Sequence, residues 1–272
     1  MRILFLFVIS TLVISCSDKK KLNLEDSVEV LRDNFGINHI YAKNQKDLFY
    51  MQGYLAAKDR LFQFEVWRRQ ATGTVSEILG EKELDRDIGT RLFKFRGNIE
   101  DELNHYHDDG YEIITSYVDG INDYIIEVNN DPSKLPIEFT LLGIKPEIWT
   151  PDVVISRHQG LLGNITQELN IGRAVSRIGE EKVNDLMWFH PKTPSLTLDK
   201  KIRKKDLDND ILKLYNAFRR PVKFELEHLH EEFRKKKNNE ISKLDEFDEF
   251  GIGSNNWAIS GEKSFNGYPI LA

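Results

Sequence analysis

Apolar residues recur along the chain with two different periods. Val28 and Val30 alternate with polar neighbours from Ser27 to Arg32, and a second short run extends from Ile37 to Ala42. Asp33-Asn34-Phe35-Gly36 between them is turn sequence, so this region predicts a β-hairpin. The period then becomes helical. From Asp47 to about Leu79, Met51, Leu55, Phe62 and Val66 form a stripe widened by Tyr54, Leu61 and Phe64, with Gly80 as its stop. Residues 86–131 predict more helix, carried by Tyr117, Ile121, Tyr124, Ile125 and Val128 and broken at Asn130-Asp131-Pro132. Thr150 and Pro151 open a further helix with Val153, Val154, Ile155, Leu161 and Leu162, running toward Gln167-Glu168. Residues 199–249 then hold 27 charged side chains in 51 positions and no glycine, which predicts a solvated helical or disordered segment without a core. Order is expected to resume at Gly253, with Trp257, Ala258 and Ile259 predicting a short strand closed by Gly261.

Composition narrows the classes. A chain of 272 residues with 40% hydrophobic and 30% charged residues can bury a core as one large domain or two small ones. The net charge of −6 shows no basic excess. The cluster Arg234 to Lys237 is flanked by Glu231, Glu232 and Glu240, so it makes no phosphate-binding patch and no nucleic-acid partner is expected. The seven histidines lack metal-ligand spacing. A single cysteine, Cys16, excludes an intrachain disulfide framework. It follows Met1-Arg2 and an apolar run from Ile3 to Ile14, too short to span a bilayer and of signal-peptide proportions. Val13-Ile14-Ser15-Cys16 resembles a bacterial lipobox, with a plain secretory signal as the alternative. Residues 1–16 are therefore expected to be a lipoprotein signal ending at the lipidated Cys16. That implies export and anchoring of the remainder to a membrane through lipid, in the periplasm or at the cell surface.

The candidate chemistry lies at Gly253-Ser254. A serine hydroxyl is a weak nucleophile until a base takes its proton. If the bond between Gly253 and Ser254 is cut, Ser254 gains an α-amine, a group whose ordinary pKa of about 7.7–8.0 lets it act as that base. Gly253 favours the cut, because a residue without a Cβ lets Ser254 Oγ approach the preceding carbonyl. An ordinary Gly-Ser-Asn turn ahead of a hairpin is the alternative for these residues.

Gly253-Ser254-Asn255-Asn256-Trp257-Ala258-Ile259-Ser260-Gly261 resembles the processing site of the penicillin acylase (penicillin amidase) family of N-terminal nucleophile hydrolases. The stretches VEVLRDNFGINHIYA, GYLAAKDRLFQFEVWRRQATG and the segment around Gly120-Ile121-Asn122 resemble that family's α chain in the family order, and Asn266 to Ala272 its next hairpin. Within the second of these, Asp59, Arg60, Arg68 and Arg69 are expected to be structural ion-pairing groups rather than catalytic ones. The resemblance implies an α+β fold, with the αββα sandwich in the complete protein and a mostly helical α-chain portion here. It divides the chain into an α-chain region (17–200), a charged spacer (201–253) and the start of a β chain (254–272). It implies an amide hydrolase precursor that cuts itself before Ser254 and cleaves linear amides, with this stretch inactive alone. A non-catalytic exported lipoprotein serving as a binding or scaffold module is the alternative. By the same resemblance Glu168 is a calcium ligand, where the residues alone give a solvated or paired carboxylate, and His158, Leu161 and Leu162 line an acyl pocket, with helix packing as the alternative; the partners are a small acyl-amide substrate and the remainder of the β chain. No organic cofactor is implied.

Overall fold

The computed structural model describes residues 22–158, 164–234, 258–265, 267–268 and 270–271. The chain divides into two compact units, Met1–His230 and Glu231–Ala272.

The first unit opens with an antiparallel hairpin of β1 (Glu29–Arg32) and β2 (Asn38–Tyr41), in the register Val30↔Ile40. Its turn is held by the Asp33 carboxylate, which accepts from the amides of Phe35 and Ile37 at 2.9 Å each, while Gly36 takes the positive φ of 81°. Helix α1 (Gln45–Thr72) follows, its first turn capped by the Asn44 side chain. The helical pattern expected to run on to Leu79 stops earlier. Gly73 adopts a left-handed conformation with φ 69° and ends α1, and α2 (Ser76–Leu79) is a separate turn. The helix expected over 86–131 is likewise three: α3 (Leu84–Phe93), α4 (Ile99–Tyr106) and α5 (Gly110–Asn130). Asn98 caps α4 by accepting from the amides of Glu100 and Asp101.

After α6 (Ile137–Leu142), α7 (Pro151–His158) begins at the predicted proline. α8 (Ile165–Ile178) and α9 (Glu180–Leu186) complete the region up to residue 200. Two further helices, α10 (Lys204–Asp208) and α11 (Lys213–Arg219), belong to the same unit. They overturn the expectation that 199–249 carries no core: Leu207, Tyr215 and Ala217 are buried. The second unit contains α12 (Glu231–Arg234) and an antiparallel pair, β3 (Ala258–Ile259) with β4 (Ile270–Leu271). The described fold is thus mostly helical with few strands.

The core of the first unit forms where α1 crosses α5. A Cβ on Gly53 would lie 1.9 Å from the Tyr117 carbonyl oxygen, and one on Gly120 would lie 1.9 Å from that of Tyr50. Each helix therefore uses a glycine to let the other's backbone in. Leu61, Phe64, Ile121, Ile125 and Val128 close around the crossing, with Phe139, Trp149 and Val153 beside them. In α1 the residues expected to widen the stripe, Leu61 and Phe64, are more deeply buried than Leu55, Phe62 and Val66.

Polar groups fix these elements in place. Asp47, 1% exposed, accepts from the amides of Glu25 at 2.9 Å and Asp26 at 2.8 Å, tying the N-terminal arm to α1. Burial alone would raise the Asp47 pKa, but those two amides and the Asn44 side chain hold it below the ordinary carboxylate value. Its contribution is therefore present above that ordinary value and is lost as pH falls through the lowered one. Across the crossing, Tyr50 Oη donates to Asp123 and Tyr54 Oη donates to Glu127 at 2.7 Å. Asn122 bonds the backbone of Trp149 twice, Nδ2 to the carbonyl at 2.9 Å and Oδ1 from the amide at 2.8 Å.

Farther along α1, buried Glu65 accepts from Arg68 Nε and Nη2 at 3.0 and 2.8 Å and from the Glu147 amide at 3.1 Å. Arg69 Nε lies 2.8 Å from the same carboxylate. The expectation that Arg68 and Arg69 are structural ion-pairing groups holds, and so does that for Asp59, which pairs with Arg32 at 2.7 Å; exposed Arg60, expected to pair as well, makes no ion pair among the described residues. Among the described residues no helix is long and apolar enough to cross a membrane.

Candidate functional site

Ser254 and Gly253 lie outside the described residues, as do Cys16, Leu161 and Leu162. Just downstream of Ser254, the expected strand is present over Ala258–Ile259 as β3, with Ala258 opposite Leu271, while Trp257 lies outside the described residues. The loop between β3 and β4 turns through Gly261–Lys263, and Ser264 Oγ closes it by donating to the Tyr268 carbonyl at 2.6 Å. The hairpin after the serine is therefore observed. His158 ends α7, and its side chain lies outside the described residues. The one helix expected to run from Pro151 toward Glu168 is instead α7 and α8, with 159–163 not described between them.

Glu168 stands in the first turn of α8. Its amide donates to the Asn164 carbonyl at 2.9 Å, and its Oε1 accepts from Asn164 Nδ2 at 2.5 Å. The carboxylate is exposed and uses one oxygen on the helix start, leaving the other available. Calcium takes six to eight oxygens. Glu168 has the right donor chemistry, but among the described residues it belongs to no group of three or more such ligands. A single carboxylate fits one place in a calcium shell, not a whole one.

Elsewhere, Glu225, Glu227 and His228 are the three-group acidic and histidine cluster among the described residues. Lys82 already supplies the cation there, its Nζ donating to Glu225 at 3.2 Å and to Glu227 at 3.1 Å. His228 Nδ1 accepts from the Glu225 amide at 2.8 Å, so the neutral ring carries its proton on Nε2 and offers no lone pair outward. This cluster is a surface ion pair with a capped turn.

The buried charge of Glu65, Arg68 and Arg69 and the packed helices α10 and α11 were not expected as such. Leu207, Leu214, Tyr215, Ala217 and Phe218 do recur near helical spacing inside the charged stretch, a signal that the charge count outweighed.

The family model described as Penicillin amidase matches residues 27–272, so the chain belongs to the penicillin amidase family. It is 29% identical over 252 residues to the penicillin acylase 2 proenzyme of Pseudomonas sp. (strain SE83), covering 92% of this chain and 30% of that protein. Against the penicillin G acylase of Escherichia coli it is 36% identical over 138 residues, 50% of this chain and 16% of that protein. An acyl-homoserine lactone acylase, QuiP of Pseudomonas syringae pv. syringae, is 26% identical over 258 residues, 92% of this chain and 28% of that one. The chain thus spans under a third of the length of these relatives. Among solved structures, a chain of the thermostable penicillin G acylase from Alcaligenes faecalis superposes with a TM-score of 0.51 at 29% identity, over 64% of this chain and 97% of that one.

Proposed function

We propose that the full-length protein is a self-processing amide hydrolase with Ser254 as its nucleophile. The observation that carries this reading is the family match, which runs through Ser254 to residue 272. Its relatives are named penicillin acylases and acyl-homoserine lactone acylases, so the substrate class is a linear amide joining an acyl group to an amine. A second observation supports processing. This chain covers only 30% of one relative's proenzyme but 97% of a solved acylase chain, so that crystal contains a polypeptide much shorter than a proenzyme.

In the precursor, Ser254 Oγ adds to the Gly253 carbonyl carbon. The C–N bond breaks, the acyl group moves to oxygen, and the nitrogen becomes a free α-amine. Water then adds to the ester, leaving the Gly253 carboxylate and the restored Ser254 hydroxyl. With substrate, the α-amine accepts the Oγ proton as the oxygen adds to the amide carbonyl and passes a proton to the departing amine. Water hydrolyses the acyl ester and regenerates the serine. Intact masses of the chains isolated from the full-length protein test this: one chain should begin at Ser254, and a chain beginning elsewhere overturns the assignment.

The rest of the β chain is the proposed partner. Leu84, Ile88 and Leu92 form an exposed apolar stripe along α3, and Trp188 is 85% exposed, surfaces suited to burial by further polypeptide. Glu168 is proposed to give one carboxylate to a calcium shell completed outside this chain. Chelator should then lower the melting temperature of the full-length protein, and Glu168→Ala should remove most of that shift. An equally large chelator shift in Glu168→Ala shows that this residue is no ligand. Cys16 is proposed as the lipid anchor. Cys16→Ser should move the protein from the membrane to the soluble fraction and abolish fatty-acid labelling, and undiminished labelling refutes it.

A further inference from the structure

Residues 204–230 lie in the charged stretch that the family resemblance made a spacer, yet they are built into the first unit. The backbone of α11 touches α3, since a Cβ on Gly89 would fall 2.3 Å from the Leu214 carbonyl oxygen. Arg86, 1% exposed, donates from Nη1 to the Arg220 carbonyl at 2.5 Å and from Nη2 to the Pro221 carbonyl at 3.0 Å, with Glu83 on its Nε. The Phe93 ring packs against Tyr215 and Phe218, with centroids 5.8 and 5.3 Å away, and Phe62 meets Phe224 at 5.5 Å. Arg173 of α8 donates to the carbonyls of Leu207 at 2.6 Å and Asn209 at 3.0 Å. At the far end the His230 amide donates to the Leu141 carbonyl of α6 at 2.7 Å.

Removing this segment would strip the buried Arg86 guanidinium of both carbonyls and leave only Glu83 to it. Those two bonds are charge-assisted and made where water is excluded, so breaking them costs more than separating an exposed ion pair. It would also open the apolar face that covers Gly89 and Phe93. Proteases cut chain that is extended or locally unfolded, and 204–230 must break these contacts before it can present such chain.

We propose that residues 204–230 are a permanent part of the α region, bound to the face formed by α3, α8 and the end of α6. The hydrolytic cut that ends the α chain then falls on the C-terminal side of His230. That cut adds water across one peptide bond, leaving a carboxylate and an amine. Its existence rests on the self-processing reading, but the binding of 204–230 does not.

Two measurements separate these. In the mature protein, the intact mass of the chain containing α1 should place its C-terminus at residue 230 or later. A C-terminus between 190 and 203, with 204–230 missing from the purified protein, overturns the proposal. In uncut full-length Ser254→Ala protein, brief trypsin treatment should cut first among Arg234 to Lys237 and Lys243. Cuts at Lys204, Lys205, Lys213, Arg219 and Lys223 should be at least about tenfold slower. Equal rates overturn the proposal whether or not the wild-type protein processes itself. Arg86→Met should raise cutting within 204–230 by about tenfold while leaving the rate at 234–243 unchanged. If Arg86→Met does not fold, Arg86→Lys, which keeps the charge but reaches only one carbonyl, should show the same selectivity to a smaller degree. Unchanged cutting in the folded variant refutes the Arg86 clamp.

Discussion

Ser254→Ala in the full-length protein is expected to give one uncut chain and no measurable amide turnover. The change removes a hydroxyl and little volume, so folding should survive. On the proposed reading it removes the nucleophile directly, and it also prevents formation of the α-amine that would activate a nucleophile, since no chain end is created at residue 254. Losing the serine nucleophile of a serine protease costs on the order of 10⁶ in kcat, and a loss of similar size is expected here. Ser254→Cys separates the two roles. A thiol still attacks the Gly253 carbonyl, so cutting should continue while turnover of unactivated amides falls steeply. Gel analysis with N-terminal sequencing, beside an amide-hydrolysis assay, reads both. Turnover by Ser254→Ala, or its cleavage ahead of residue 254, defeats the assignment.

Glu65→Ala is expected to be the most damaging of the structural substitutions. Glu65 is 2% exposed and is shared by Arg68 and Arg69, themselves almost fully buried. The remaining acidic partners, Glu147 and Glu77, have side chains 56% and 57% exposed and cannot follow the guanidinium groups inward. Truncation leaves two buried cations sharing rim carboxylates and an unpartnered amide at Glu147, which costs about 3–5 kcal/mol. For a body of this size that lowers the melting temperature by about 10 °C. Glu65→Gln retains acceptor geometry without charge and should fall between the two. A loss under about 2 °C in Glu65→Ala would show that Glu147 and Glu77 suffice.

The hairpin and the core face of α5 were legible because their apolar periods are clean and their ends carry turn residues: Gly36 in one case, Asn130-Asp131-Pro132 in the other. The stops at Gly73 and Asn98 were missed because apolar residues continue on both sides of them. There only the positive φ of Gly73 and the side-chain cap of Asn98 mark the break. The packing of α10 and α11 was hidden for another reason. Lys213, Arg219 and Arg220 bracket the apolar residues with charge, so a count over the window reads as solvated although Tyr215 and Ala217 face inward. Of the site, the logic of Gly253-Ser254 was readable because it depends on adjacent residues. The surroundings of Glu168 were not, since groups distant in sequence leave no local pattern.

The backbone of α1 departs from helical geometry at one residue, Arg60, with φ −139° and ψ 33°. The neighbour Asp59 holds the β-hairpin through Arg32 at 2.7 Å and Asn38 at 3.2 Å. The Gly53 crossing lies before this bend and the Glu65 charge pairs lie after it. Neither proline nor glycine occurs there, so the bend is imposed by what the two halves hold rather than by the local sequence. α1 should consequently open as two blocks. In deuterium exchange, amides on either side of Arg60 should each show their own protection, with a notch between them and separate responses to Gly53 and Glu65 substitutions. The longest helix among the described residues would then couple its two ends through the core it shares with α5 rather than along its own backbone.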